Sequence, residues 1–407
     1  MGKILSRMKN SKLKILYIST LYEVANSSAA IRNNSLVKGM RELGYAVDIL
    51  TVKWPNDLIS NYFVNERNYD NIFRTELNEI RLNSNIKGKI KNTNKFVSLL
   101  KQNLKKIFFF PDICKNWYNE INPREFDGYD ILITSSDMKS AHFVGREFKK
   151  YFPDLPWMQI WGDPWESDVN TPKYLKGYVK KKEMKILSLA DLIYYVSEPT
   201  KNEMVSKYPI LKDKIKYLPR SYYNESRKTT TQSNYIKILY TGAISNNRNL
   251  AILAQILDNY NSAKNNSKII LEIVGTYSEE VKNELLKFDS IYLKGSYPFD
   301  KIIEEYANAD LLLYVGNNAE SSQIPGKLYD YFGSDRPILC LVNSKVDEIY
   351  KFLSSFDRCL VVPNNHEDIK YYLSDLINIS NKHFDPVRIY SPINVAQMFV
   401  NDFNNLK

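Results

Sequence analysis

A chain of 407 residues with net charge +10 is too long for one ordinary core, and at 44% hydrophobic and 25% charged residues it is not a disordered chain. Three scattered cysteines (Cys114, Cys340, Cys359) and three histidines (His142, His366, His383) exclude a disulfide framework and a metal site built on histidine alone. The basic residues are uneven: positions 1–220 hold 37 Lys and Arg against 24 Asp and Glu, and positions 221–407 hold 19 against 22, so the first half is expected to meet something anionic.

The N-terminus is basic, but its apolar stretch 15–18 is too short for a secretory signal, and no apolar run approaches the ~18 residues of a membrane span. A cytoplasmic location is expected. Residues 14–20 (KILYIST) and 46–52 (AVDILTV) read as strands around a helical segment, 35–43, that closes on Gly44. This is one βαβ unit, and the alternation resumes with strands at 129–134, 156–161, 192–196 and 214–218 and a helix at 140–150. After a polar linker, 224–234 (NESRKTTTQSN), strands are expected at 235–241, 268–274, 291–294, 311–315, 337–342 and 359–362. Helices between them cover 249–258, 279–288, 301–307 and 327–332. The expected class is α/β: two doubly wound, Rossmann-like domains, with ligands taken at the carboxyl ends of the strands in a cleft between them.

Residues 61–125 interrupt the first domain. Positions 80–111 carry no acid but seven lysines, from Lys87 to Lys106, and Phe96, Leu100, Leu104 and Ile107 recur at helical spacing. A basic amphipathic helix on an anionic membrane face fits this pattern, as does an inserted helix with a solvated basic face.

Residues 320–339 (ESSQIPGKLYDYFGSDRPIL) pass from a strand through Ile324, Pro325 and Gly326 into a helix opening at Lys327. Free amides at such an opening bind anions, Lys327 adds a point charge, and Asp330 one turn later can accept hydrogen bonds from a ribose diol. The plain alternative is a helix cap with an i, i+3 Lys–Asp pair. In YTGAISNNRNL (240–250), Gly242 lets the backbone approach a ligand, and Arg248 suits phosphate oxygens or an exposed helix start. Asp163, past a strand end in WMQIWGDPW, is placed either to orient an acceptor hydroxyl or to form an Asx-Pro turn. His142 is expected in the first turns of a helix, packed or touching substrate.

These segments resemble the family-4-type glycosyltransferases of the GT-B fold, the bacterial surface-polysaccharide type. The Pro-x-Lys-Leu-Tyr-Glu-Tyr pattern and its Gly-x-Pro are matched with Asp330 at the second Glu, while Ser322 stands at the first, with Glu320 nearby. Arg248 falls on the family's Lys and Ala243 where its Arg often lies. Gly275 in IVG, Tyr297 in YLKGSY and the EYANADL helix end (305–311) agree in order, so the likeness covers about 235–345. In the first half, 31–44 resembles the family's Arg-containing helix, with Arg32. Segments 135–144 and 157–165 resemble Ser-Ala-His and Arg-Asp-Pro-Trp elements, with Gly162 replacing the Arg.

The resemblance implies transfer of a sugar from a nucleotide-sugar to a glycan or lipid-linked acceptor, metal-independent and retaining, in cell-surface polysaccharide synthesis. It implies no cofactor, and the chain contains no Asp-x-Asp. Donor contacts would come from Gly242, Arg248, Gly275, Tyr297, Ile324, Pro325, Gly326, Lys327 and Asp330. Acceptor contacts would come from Arg32 and Trp165, with Asp163 and His142 at the reacting groups. The domains are expected as 1–222 (acceptor) and 223–388 (nucleotide-sugar), with 389–407 a helix packing back on the first. Partners beyond these are an anionic membrane surface through Lys87 to Lys106, peripheral on the inner face of the plasma membrane, and no nucleic acid. The alternative is a non-catalytic GT-B module binding a partner protein or glycan.

Overall fold

The computed structural model describes residues 13–78, 110–168, 171–228, 234–244, 248–263, 268–316, 324–346 and 348–406, and every strand ladder in it is parallel. The expected basic helix from Lys87 to Lys106, Ser322 and Glu320 lie outside the described residues. The chain divides into one unit of Met1–Ser221 with Ser391–Lys407 and another of Tyr222–Tyr390.

The first unit is a seven-stranded sheet in the order β3-β2-β1-β4-β5-β6-β7. Its strands are β1 (Lys14–Ser19), β2 (Ala46–Val52), β3 (Ile72–Thr75), β4 (Ile131–Ser136), β5 (Trp157–Trp161), β6 (Leu192–Tyr195) and β7 (Ile215–Tyr217). The central strands β4 and β5 are buried along their whole length because both faces are covered. Leu16, Ile18, Leu132 and Trp157 pack on one side, and Ile15, Tyr17, Ile133 and Met158 on the other. Helix α1 (Ser28–Glu42) starts seven residues before the expected 35, because the Ser27 hydroxyl caps it by accepting from the Ala30 amide. Its polar run Arg32-Asn33-Asn34-Ser35 is buried and hydrogen-bonded, which hides the helix from a hydrophobic-period reading. A short α2 (Asn61–Glu66) ends on left-handed Arg67 and leads into β3 at the sheet edge. Helices α3 (Ser140–Tyr151), α4 (Lys176–Ser188) and α5 (Glu198–Lys207) complete the layers.

The second unit has six strands in the order β10-β9-β8-β11-β12-β13. They are β8 (Tyr235–Thr241), β9 (Lys268–Val274), β10 (Ile291–Gly295), β11 (Leu311–Val315), β12 (Ile338–Val342) and β13 (Cys359–Pro363). Around them lie α6 (Ala251–Asn261), α7 (Glu279–Leu285), α8 (Phe299–Asn308), α9 (Gly326–Phe332), α10 (Glu348–Leu353), α11 (His366–Tyr371) and α12 (Leu373–Ser380).

The last helix, α13 (Pro392–Asn404), returns to the first unit and lies along α1 with Phe399 and Phe403 in the core. A Cβ on Gly39 would stand 1.9 Å from the Pro392 carbonyl oxygen, so only glycine lets the two helices approach this closely. The start of the expected linker is pinned, not free. Ser226 exchanges main-chain hydrogen bonds with Gly333 and Asp335, and Lys228 pairs with Asp310.

Candidate functional site

In each sheet the strand order reverses once, between β1 and β4 and between β8 and β11, and open α/β sheets bind ligands at the carboxyl ends of the strands there. In the second unit β8 ends at Thr241 and runs into Gly242, whose φ is +108°, a left-handed conformation that favours glycine. Gly275 follows β9, and a Cβ on it would meet the Gly242 carbonyl oxygen at 1.9 Å, so two backbones touch where side chains usually stand.

Against this bare turn lie two cations. The Lys327 ammonium, from the first turn of α9, donates to the Thr241 carbonyl at 2.5 Å and stands 3.9 Å over the Tyr240 ring. Arg248 Nη1 donates to the Tyr240 hydroxyl and to the Ala243 carbonyl, both at 2.7 Å. The backbone at Ala243 is thus an acceptor for Arg248 at the position where the resemblance places a second Arg. Burial, reinforced by Arg248, pushes the Lys327 pKa well below the usual lysine value. Among the described residues no carboxylate pairs with Lys327.

Helix α9 is fixed by Tyr331, whose hydroxyl accepts from the Thr241 amide at 3.2 Å and donates to the Leu313 carbonyl at 3.3 Å, tying it to both strands of the reversal. Ile324, Pro325 and Gly326 precede Lys327 and are half-buried, and Asp330 is buried one turn on. Tyr297 packs on the core with Lys301 3.9 Å over its ring, and no hydrogen bond or ring contact ties it to the Lys327 group.

In the first unit the strand ends carry a buried polar cluster. Arg32 Nη2 donates to Ser135 at 3.2 Å and to Asp137 at 3.1 Å. A Cβ on Gly162 would meet Asp137 Oδ1 at 2.3 Å and Arg32 Nη1 at 2.9 Å, so the ion pair fills the space a larger residue would need. Lys139, 6% exposed, donates to the Asp163 carbonyl at 2.8 Å, and burial lowers its pKa against the pull of Asp137 and Asp163. Burial raises the Asp163 pKa, with Lys139 opposing it.

His142 is buried, stacked on Trp161 at 4.2 Å, with Nδ1 2.7 Å from the Thr134 hydroxyl. Trp157 Nε1 donates to the same hydroxyl at 2.9 Å, so Thr134 ties the His142 ring to the Trp157 ring. Burial holds the His142 pKa well below the ordinary histidine value, and Nε2 is buried with no hydrogen-bond partner among the described residues.

Trp165, expected at the acceptor, is 4% exposed: it stacks on Phe110 at 5.4 Å and meets Phe143 edge-on. Its amide donates to buried Glu183 at 2.6 Å, which anchors the loop carrying Asp163. The structure thus groups Arg32, His142 and Asp163 near one sheet's strand ends, and Gly242, Arg248, Gly275 and Lys327 near the other's. Lys139, Asp137, Tyr240 and Glu183 were not singled out from sequence. Lys139 and Asp137 had a signal, lying within the Ser-Ala-His segment, as did Tyr240, which opens YTGAISNNRNL; Glu183 had none.

No family model and no curated protein matches the chain. Solved structures do. A sucrose-phosphate synthase from Thermosynechococcus elongatus aligns over 97% of this chain and 96% of its own, with TM-score 0.56 and 13% identity. A protein assigned as a UDP-N-acetylglucosamine 2-epimerase from Listeria monocytogenes gives the same coverage and TM-score at 11% identity. The MnaA protein of S. aureus, solved with UDP, aligns over 98% of both chains with TM-score 0.51 and 12% identity. The fold is of the GT-B type. Among the described residues of this GT-B chain, no helix is long and apolar enough to cross a membrane, and no three His, Cys, Asp or Glu side chains converge as a metal site.

Proposed function

We propose that the chain is a glycosyltransferase moving a sugar from a nucleotide-sugar to a glycan or lipid-linked acceptor in surface-polysaccharide synthesis. The observation that supports this is the Lys327 ammonium held beside Arg248 and a side-chain-free Gly242 turn, with no carboxylate paired to it among the described residues. A lysine whose pKa is depressed by burial is short of an anion, and a diphosphate supplies one. As the bond to the anomeric carbon breaks, charge grows on the leaving diphosphate, where fixed cations stabilise it most. That stabilisation uses this chain's own cations and fits a metal-independent, retaining transfer, in which no side chain here is assigned as nucleophile.

On the acceptor side, Asp163 would orient the attacking hydroxyl, Arg32 and Lys139 would hold polar or anionic groups near it, and His142 would present a neutral ring nitrogen, Nε2. A peripheral place on an anionic membrane face belongs to the same proposal.

The test is a thermal-shift panel of UDP-, GDP-, dTDP- and CMP-sugars on wild type and Lys327→Ala, with and without EDTA. UDP heads the panel because one similar fold is solved with it. A shift with one nucleotide, unchanged by EDTA and lost in Lys327→Ala, is the expected result. A shift that EDTA abolishes would remove the metal-independent part. Absence of any shift would favour a non-catalytic module.

A further inference from the structure

On the first unit a cavity of about 300 Å³ opens between the segment after Phe110, helix α3 and helix α4, beside the Trp165 ring that Phe110 and Phe143 pack against. Four aromatic rings line it: Phe110, Tyr118, Phe143 and Tyr178. The charged groups in its wall are Lys115, Arg146 and Lys182, and no carboxylate is among them. The Arg146 guanidinium lies 5.2 Å from the Phe143 ring and 5.5 Å from Tyr118, held there by Glu147 through Nε and Nη2. Lys182 stands 5.4 Å from the Tyr178 ring. Of the five lysines on helix α4 only Lys182 lines the cavity, and the helix's single acid, Glu183, is turned into the core.

Aromatic rings and cations together, with the Glu147 carboxylate behind Arg146 and not in the wall, suit an apolar-faced molecule carrying an anionic group. The rings are tilted rather than parallel: 55° between Phe110 and Tyr178, and 35° between Tyr118 and Phe143. They form no slot for a flat base. A puckered pyranose needs only one ring face for its axial C–H groups, and Tyr178 keeps half its surface open to solvent. The volume sits at the low end of ligand pockets, the size of one sugar residue and not of a long glycan.

We propose that this cavity binds a single acidic pyranose, a uronate or sugar phosphate, with its ring on Tyr178 and its anion on Lys182 and Arg146. The site does not depend on the donor group at Lys327. Saturation-transfer NMR and calorimetry on the full chain would use glucuronate, glucose 6-phosphate, glucose and UMP, with wild type, Tyr178→Ala and Lys182→Glu. Tyr178 is half exposed and Lys182 has no ion-pair partner among the described residues, so both variants are expected to fold.

The expected result is saturable binding of one or both acidic sugars, at least tenfold tighter than glucose and at least tenfold weaker in each variant. The UDP-sugar thermal shift should be unchanged in both variants, so this proposal and the donor reading fail separately. Glucose binding as well as the acids, UMP binding more tightly than either, or variants binding like wild type would overturn it. So would the failure of both acids to bind while the chain pellets with phosphatidylglycerol vesicles in a Lys182-dependent way.

Discussion

Replacing Lys327 by methionine separates what the residue costs the fold from what it does for a ligand. In the free protein the substitution removes a charge-assisted hydrogen bond to Thr241, worth about 1.5–3 kcal/mol, and a cation–π contact with Tyr240 worth roughly 0.5–2 kcal/mol. Those contacts are already outweighed, because desolvation and the nearby Arg248 together push the Lys327 pKa well down. A lysine in the unfolded chain titrates near ~10.4. Between its lowered native value and that point the native state binds fewer protons than the unfolded one, so stability rises with pH. The cost is full below the native pKa and gone above the unfolded one.

Because the charged lysine is disfavoured by desolvation and by Arg248, Lys327→Met should stabilise the free protein at pH 7. For a unit of about 170 residues (222–390), each kcal/mol of that gain is a midpoint ~2–4 °C higher, with the gain shrinking toward pH 10. Differential scanning fluorimetry at pH 6.5, 7.5 and 9 reads it, in a buffer free of phosphate, which would fill the site. The same variant should lose the nucleotide-dependent shift, which for wild type at a hundred times Kd is ~2.7 kcal/mol. A midpoint that falls at pH 7, or a difference that does not change with pH, would refute the reasoning.

Gly275→Ala sets a Cβ against the Gly242 backbone, where nothing flexible can move. It should cost about 3 kcal/mol or more by urea unfolding, while Gly177→Ala, with open space around it, should be neutral or gain about 0.5 kcal/mol. His142, kept neutral by burial, should make wild type lose up to about 1.4 kcal/mol per pH unit as pH falls below ~6.5, since only the unfolded chain then takes the proton. His142→Phe, which keeps the stack on Trp161, should flatten that slope between pH 6.5 and 5; a slope equal to wild type would show that another group sets it. Glu183→Gln puts an amide where the Trp165 amide, the Tyr208 hydroxyl and Lys207 all donate. It should cost about 1–3 kcal/mol and speed hydrogen exchange at Trp165, and unchanged protection there would count against Glu183 as the anchor of the Asp163 loop.

Strands such as β1, β4 and β11 were legible because a strand buried on both faces reads as a largely apolar run. The edge strand β3 was not, since its four residues (IFRT) expose their side chains in part and show no such run. Helix α1 was legible only in its second half, because its first turns bury asparagine, serine and arginine whose partners come from β1, β4 and the loops beyond them. The glycines at strand ends could be picked out one by one. That Gly242 and Gly275 press backbone on backbone could not, because the contact joins positions 33 residues apart that only strand pairing brings together.

The sequence by itself determined the alternation of parallel strands and helices and the positions of the cations near strand ends, since periodicity and turn residues are local properties of the chain. The tertiary structure decided which of those side chains face a partner. It turned Trp165 inward under Glu183, paired Arg32 with Asp137 in the space above Gly162, and left Lys327 facing Tyr240 and Arg248 without a carboxylate among the described residues. Whether a charge is compensated depends on what the rest of the chain brings within a few ångströms of it, and that is a property of the packing alone.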